Sequence, residues 1–161
     1  MRTIEQTIFN YSELEDSAKE RAREWFSSGG YTWIDEGLDS VRAFCAHYGV
    51  KITDYDLSPY SYSSIDTNVE NCHVRGVTLK QVEKEKDLTP TGYCLDCDLF
   101  ITMFESMRDN GGNALQAFKD AIEAGKKAII AEMEYQDSDE YITEMMEANN
   151  YEFDESGRIH H

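Results

Sequence analysis

Apolar side chains recur at helical spacing over residues 113–135, and this is the longest periodic stretch of the chain. Leu115, Phe118, Ile122 and Ile129 fall on one face, with small residues between them. At 1.5 Å per residue such a helix would be about 34 Å long. The pattern therefore predicts one long amphipathic helix that crosses a small domain.

Four further stretches have helical signals. Residues 34–48 carry a clean apolar stripe that ends at Gly49, a residue suited to a left-handed helix cap. Residues 93–108 are apolar nearly all round, which predicts a helix packed on several sides. Ser12 and Glu15 match a capping box, so a first helix is expected to begin there. A last helix, capped by residue 137 or 138, follows the long one.

Extended segments fill the rest of the pattern. Residues 3–10 are rich in β-branched side chains and suit an edge strand. Residues 50–52, 60–69 and 72–79 alternate with turn signals and predict an antiparallel meander, and residues 151–153 predict a short returning strand. The fold class expected is α+β, with an antiparallel sheet of about three to five strands packed with about five helices. The expected core is Leu38, Val41, Phe44, Leu99, Phe104, Phe118, Ile122 and Ile129.

Length and composition favour one folded domain over residues 1–161. The 161 residues are 40% hydrophobic and 12% aromatic, which is enough to bury a core despite the high charge. An apolar run long enough to cross a membrane and a hydrophobic signal core are both missing from the sequence. We therefore expect no membrane contact and a cytoplasmic location, where the four cysteines would be thiols.

The charge is strongly acidic and unevenly distributed. The formal net charge is −17, and residues 132–155 hold ten acidic residues without a Lys or Arg. The region 113–155 is thus an acidic C-terminal helical region. Its inward positions are expected to be apolar, so Glu132, Asp139, Glu140, Glu144 and Glu147 are expected at the surface. A pI near 4.4 argues against direct binding to nucleic-acid phosphates.

Two cysteines are the best candidate for chemistry. Cys94 and Cys97 form a CxxC motif, a spacing that can hold zinc or form a redox pair. The remaining Cys and His residues form no second pair with zinc-finger spacing, so buried thiols in a helix are the simpler interpretation, and we expect no metal and no cofactor. Asp96 and Asp98 would favour the positive end of that helix. Nucleophile and phosphate-loop motifs are not found, so we expect a protein that is not an enzyme.

Residues 55–64 combine three tyrosines, Tyr55, Tyr60 and Tyr62, with small hydroxyl side chains. This composition is typical of recognition surfaces. It is equally ordinary for a pair of antiparallel strands. Both interpretations, a contact surface and sheet packing, stay open at this point.

Five short segments carry a family resemblance. They read IFNYSEL at 8–14, AKERA at 18–22, PTGYCLD at 90–96, SDEY at 138–141 and NYEF at 150–153. Together they resemble small acidic proteins of bacteriophages and prophages, often labelled antitoxin-like or antitoxin of a toxin–antitoxin stability system. The resemblance implies a phage setting and a bacterial host cytoplasm, and it brings no catalytic residues.

In that setting, carboxylates along a helix can imitate the phosphates that a host protein reads through its Lys and Arg side chains. The leading hypothesis is a protein-binding module that inhibits a host nucleic-acid-binding defence complex, an anti-CRISPR-like or DNA-mimic inhibitor. An antitoxin that neutralises a cognate toxin, a metal-dependent enzyme that uses the CxxC region, and an acidic face that only confers solubility are the alternatives. The expected partner-binding residues are Glu132, Glu134, Asp137, Asp139, Glu140, Glu144, Glu147, Tyr55, Tyr60 and Tyr62. The oligomeric state is left open.

Overall fold

The structure is a computed structural model that describes residues 2–160. The chain divides into two compact units by its internal contacts. Unit 1 consists of the described residues within Met1–Tyr31 and Glu134–His161, and unit 2 is Thr32–Met133. Helix α5 (Ala114–Gln136) begins in unit 2 and ends in unit 1.

Unit 2 is built mainly from helices. These are α2 (Ile34–His47), α3 (Leu79–Glu85), α4 (Leu95–Asp109) and most of α5, and α4 packs against both α2 and α3. Aromatic rings fill the centre, where Phe44 stacks on Phe118 with centroids 5.2 Å apart and meets Phe100 edge-on at 5.1 Å. The predicted stripes of residues 34–48 and 113–135 are therefore confirmed as helices that bury their apolar faces.

Two glycines allow the helices of unit 2 to approach closely. A Cβ atom on Gly37 would lie 2.9 Å from Ile129 Cγ1, and one on Gly125 would lie 2.7 Å from Leu99 Cδ2. Neither distance is tolerated without movement of the neighbouring side chain. Glycine at these positions brings the backbone of α2 against α5, and that of α5 against α4.

The remaining part of unit 2 contains a β-hairpin of β2 (Ile52–Asp56) and β3 (Ser64–Thr67). Two short 3-10 helices follow, Val69–Asn71 and His73–Gly76. The strand predicted at 72–79 is therefore wrong, and so is the meander. The hydrogen-bonding groups there are used in tight turns, for example from Val77 N–H to the Val74 carbonyl at 3.0 Å, so Val74 is buried without a strand.

Unit 1 packs α1 (Asp16–Ser27) with α6 (Asp139–Ala148) and a small antiparallel pair, β1 (Phe9–Asn10) and β4 (Glu152–Phe153). The predicted strand at 3–10 is reduced to its last two residues, whereas the predicted returning strand is confirmed by its pairing with β1. Glu13 accepts a hydrogen bond from the Asn10 backbone N–H at 2.8 Å, so the capping box is not at Ser12 and Glu15. The buried residues are Tyr11, Leu14, Ala18, Ala22, Ile142, Met146 and Phe153.

The α+β class is thus confirmed, but the single sheet of three to five strands is wrong. Residues 2–160 form six α-helices and two separate two-stranded antiparallel sheets. The expected core residues are buried except Phe104, which is only partly covered and has Lys86 Nζ 5.0 Å from its ring centroid. None of the helices in the described part of the chain combines the length and the apolar character needed to cross a membrane.

Candidate functional site

Helix α6 presents a row of carboxylates. Ser138 caps the helix by accepting a hydrogen bond from the Tyr141 N–H at 3.2 Å. Because Ile142 and Met146 are buried in unit 1, Glu140, Glu144 and Glu147 face outward and are exposed. Their i, i+4, i+7 spacing places them on one side of the helix over about 10 Å of its axis. We call these three residues the glutamate row.

The neighbouring aspartates are engaged within unit 1. Asp139 forms an ion pair with Arg23 and also accepts a hydrogen bond from the Tyr11 hydroxyl at 3.3 Å. The Asp137 side chain accepts from the Tyr31 hydroxyl at 2.7 Å. Burial raises the pKa of the Tyr11 hydroxyl, and the hydrogen bond with Arg23 lowers it only in part. The negative charge of Asp139 is thus partly neutralised, whereas the glutamate row forms no ion pair within the described part of the chain.

The last turns of α5 divide the remaining predicted acids between the two units. Glu134 is exposed and belongs to unit 1. Glu132 was expected at the surface but is partly buried, and it lines a cavity of unit 2 beside Ala128 and Ile129. Helical geometry explains this, since residues three and four positions apart share a helix face. These acidic residues therefore do not form the single exposed face that was predicted.

The tyrosines lie on the hairpin of unit 2. Tyr55 is in β2 and is 44% exposed, while Tyr60 and Tyr62 in the connecting loop are 75% and 85% exposed. The Arg42 guanidinium lies 5.9 Å from the Tyr55 ring centroid. The side chain of buried Ser63 fixes the loop, because its Oγ accepts from the Ser58 N–H at 2.9 Å and donates to the Ser58 carbonyl at 2.8 Å. The rings of Tyr60 and Tyr62 are therefore displayed at the surface outside the strands, whereas Tyr55 lies within β2 and is partly covered.

The CxxC cysteines lie where α4 begins, and both are exposed. The expectation of buried thiols at Cys94 and Cys97 is therefore wrong. The buried cysteine of the chain is Cys45, where burial raises the pKa of the thiol to about 12. All four cysteines are free thiols. Within residues 2–160, no cluster of three or more Cys, His, Asp or Glu side chains is arranged to hold a metal ion.

The Asp96 carboxylate is fully buried and holds the loop before α4. It accepts hydrogen bonds from the Thr91 and Gly92 N–H groups, both at 2.9 Å, and from Thr91 Oγ1 at 2.8 Å. Thr91 in turn contacts the Ser40 hydroxyl at 3.1 Å. These three donors explain how a carboxylate is accommodated in the most apolar part of the chain, and they give Asp96 a structural role. Asp98 is exposed.

Sequence reasoning missed a polar cluster that ties α2 to α3. Glu85 accepts a hydrogen bond from the Tyr48 hydroxyl at 2.8 Å and lies 3.1 Å from His47 Nε2. Gln81 donates to the same carboxylate at 3.1 Å. Burial would raise the pKa of Glu85, but the hydrogen bonds from Tyr48, His47 and Gln81 outweigh it and lower the value. Tyr48 and Glu85 are separated by 37 positions in the chain, so this contact has no local signal in the sequence.

Comparison with known proteins adds no family. The family models, the curated proteins and the solved structures that were compared with the chain give no match. The class is therefore defined by geometry alone: an α+β protein with a row of glutamates on one helix and a hairpin that displays tyrosines. The resemblance to phage proteins stays a prediction.

Proposed function

We propose that this protein is a non-catalytic binding module that occupies a basic, nucleic-acid-binding surface of a protein partner. The glutamate row carries this proposal. Glu140, Glu144 and Glu147 are exposed, lie on one side of a capped helix and form no ion pair within residues 2–160. A partner with Lys and Arg side chains could pair with them without first breaking a contact inside this protein.

The spacing of the row is compatible with imitation of a nucleic-acid strand. Three carboxylates along about 10 Å of helix axis give one charge per about 5 Å. One strand of duplex DNA carries one charge per about 3.4 Å of axis, so the two charge densities are of the same order. The packing of α6 through Ile142 and Met146 fixes the helix, and this lowers the ordering cost of binding.

The overall charge supports the same role. A net charge of −17 would draw the protein toward a basic surface and raise its association rate at low salt. In the phage setting that the resemblance implies, the partner is a host defence complex that reads nucleic acid, and the protein acts as an anti-CRISPR-like or DNA-mimic inhibitor. The displayed tyrosines Tyr60 and Tyr62 would add apolar contact area in such a complex.

The test uses two variants with the same change in charge. One replaces Glu140, Glu144 and Glu147 by Gln, and the matched control replaces the exposed acids Glu20, Glu24 and Glu83 by Gln. Each purified protein is immobilised and exposed to bacterial host proteins that were first retained on a DNA column, at about 50 mM and about 200 mM salt.

We expect the wild type and the control to retain a shared host protein, and the glutamate-row variant to lose at least about tenfold in affinity. Added duplex DNA should compete, and retention should fall steeply between the two salt concentrations. Equal loss in both variants would show that net charge alone is responsible. Unchanged binding of the glutamate-row variant would refute the role of α6.

A further inference from the structure

A second candidate site lies entirely in unit 2. It is a cavity of about 200 Å³ between the start of α2, the start of α4 and the later turns of α5. Its lining residues are Trp33, Ile34, Gly37, Tyr93, Cys94, Leu95, Asp98, Ala128, Ile129 and Glu132.

Two stacked aromatic rings, those of Trp33 and Tyr93, are part of the lining of this cavity, and we call them the aromatic wall. Trp33 and Tyr93 are nearly parallel, with an interplanar angle of 11° and centroids 6.4 Å apart. Trp33 is 55% exposed, so its indole ring is not needed to fill the core. Its backbone is also unusual, because φ is 65° and a bulky side chain rarely adopts this left-handed region. Strained residues of this kind are concentrated at functional sites.

The floor of the cavity is apolar and comes from the close packing of α2 and α5. Ile129 and Leu95 supply aliphatic surface, and the backbone of Gly37 packs directly against the Ile129 side chain. A ligand group in this cavity would be surrounded by carbon, with few hydrogen-bonding partners beneath it.

Carboxylates give the cavity its charge. Asp98 and Glu132 are part of the lining, which contains neither Lys nor Arg among the described residues. This negative charge also affects Tyr93. Burial raises the pKa of its hydroxyl, and Cys94, Glu132 and Glu36 raise it further. An anionic ligand would be repelled here, whereas a cation would be attracted to both the carboxylates and the ring faces.

We propose that this cavity binds an organic cation whose nitrogen carries methyl groups, a quaternary ammonium head group. The aromatic wall attracts such a cation through its ring faces, the apolar floor receives its methyl groups, and Asp98 and Glu132 balance its charge. A guanidinium or a primary ammonium fits less well, since Asp98 and Glu132 would accept only part of its N–H donors and the others would face the apolar floor. The proposal concerns unit 2 alone and does not depend on the function proposed for the glutamate row.

Choline is the first probe, measured by ligand-observed NMR and calorimetry. Its neutral analogue 3,3-dimethylbutanol has the same shape without the charge, so it separates cation binding from apolar binding. We expect choline to bind in the millimolar range and the neutral analogue to bind at least about tenfold more weakly. Equal affinities, or the lack of choline binding up to about 20 mM, would overturn the proposal.

The decisive variant is Trp33→Gly. Glycine adopts a positive φ without strain and is accepted at a helix N-cap, which offsets part of the loss of the stack with Tyr93, so the variant should remain folded with a cooperative melt. Choline affinity should nevertheless fall by about tenfold, whereas Trp33→Phe should keep most of it because an aromatic face remains. A Trp33→Gly protein that binds choline like the wild type would refute the aromatic wall.

Two carboxylate variants and a peptide complete the test. Asp98→Asn and Glu132→Gln should each weaken choline binding several-fold and leave binding of the neutral analogue unchanged. Unchanged choline affinity in both variants would contradict the assigned charge balance. A peptide with trimethyllysine distinguishes the source of the cation: tighter binding than choline indicates a protein ligand, and tighter binding of choline indicates a small molecule. Either order supports the site.

Discussion

Replacing Phe118, whose ring stacks in the core, tests how unit 2 is held together. Phe118 is fully buried and contacts two aromatic neighbours: Phe44 in a stack at 5.2 Å and Tyr48 edge-on at 6.2 Å. Replacing it by Ala removes most of the apolar surface of the side chain and leaves a cavity between α2 and α5. The variant Phe118→Ala should therefore be among the most destabilising single changes in this protein.

The magnitude follows from the burial. A buried aromatic side chain covers about 150–250 Å², and at about 25 cal/mol per Å² this amounts to about 4–6 kcal/mol. Alanine retains part of that area, which lowers the loss, whereas the two ring contacts add about 0.5–1.5 kcal/mol each. The expected loss in the free energy of unfolding is thus about 3–5 kcal/mol, a large share of the total stability of a typical domain.

Urea unfolding followed by circular dichroism measures this loss, and Phe104→Ala is the matched control. Phe104 is on the same helix as core residues but is only partly buried, with Lys86 and Arg108 over its ring. We expect the control to lose about 1–2 kcal/mol, with a similar dependence on urea concentration in both variants. A loss below about 1.5 kcal/mol for Phe118→Ala, or one no larger than the control, would refute this account of the core.

Three further changes test local contacts. Asp96→Ala should cost about 2–4 kcal/mol in thermal or urea unfolding, because the Thr91 and Gly92 N–H groups lose their acceptor, while exposed Asp98→Ala should cost less than about 1 kcal/mol. Ser138→Ala should cost about 1 kcal/mol through the lost helix cap, and no change would show that α6 begins without it. The pKa of Glu85 is lowered in the folded protein. Its ionised carboxylate therefore stabilises the fold at pH values above the ordinary pKa of 4.5, and this contribution is lost as the pH falls through the pKa of the folded state. Glu85→Gln should therefore be less stable than the wild type at neutral pH, and the gap in melting temperature should narrow below pH 4.5; a constant gap would contradict the assignment.

The helices could be predicted because their signal is local. The stripe that ends at Gly49 and the period across residues 113–135 each depend on side chains three or four positions apart, and the structure places both helices at those positions. The arrangement of the strands could not be predicted in the same way. Phe9 pairs with Phe153, a residue far along the chain, and such a pairing leaves no local signal in the sequence.

The candidate sites show the same difference between local signals and long-range contacts. The outward direction of Glu140, Glu144 and Glu147 follows from Ile142 and Met146 on the opposite face of one helix. The pairing of Arg23 with Asp139 spans 116 residues and had no sequence signal. The contact between Trp33 and Tyr93 had no sequence signal for the same reason, because the two residues are far apart in the chain.

Glu132 is the predicted surface acid whose position differs in the structure. The apolar stripe from Ile129 to Met133 was expected to fill the inward positions of the helix and to leave Glu132 exposed, but Glu132 is partly buried and lines the cavity one turn after Ala128 and Ile129. A helix that packs on more than one side also covers residues beside its main apolar stripe. The excess negative charge therefore has two structural settings: an exposed row in unit 1 suited to a basic macromolecular surface, and a partly buried carboxylate in unit 2 suited to a single small cation. Neutralising one should leave binding at the other unchanged, which is why separate variants of Glu132 and of the glutamate row are needed.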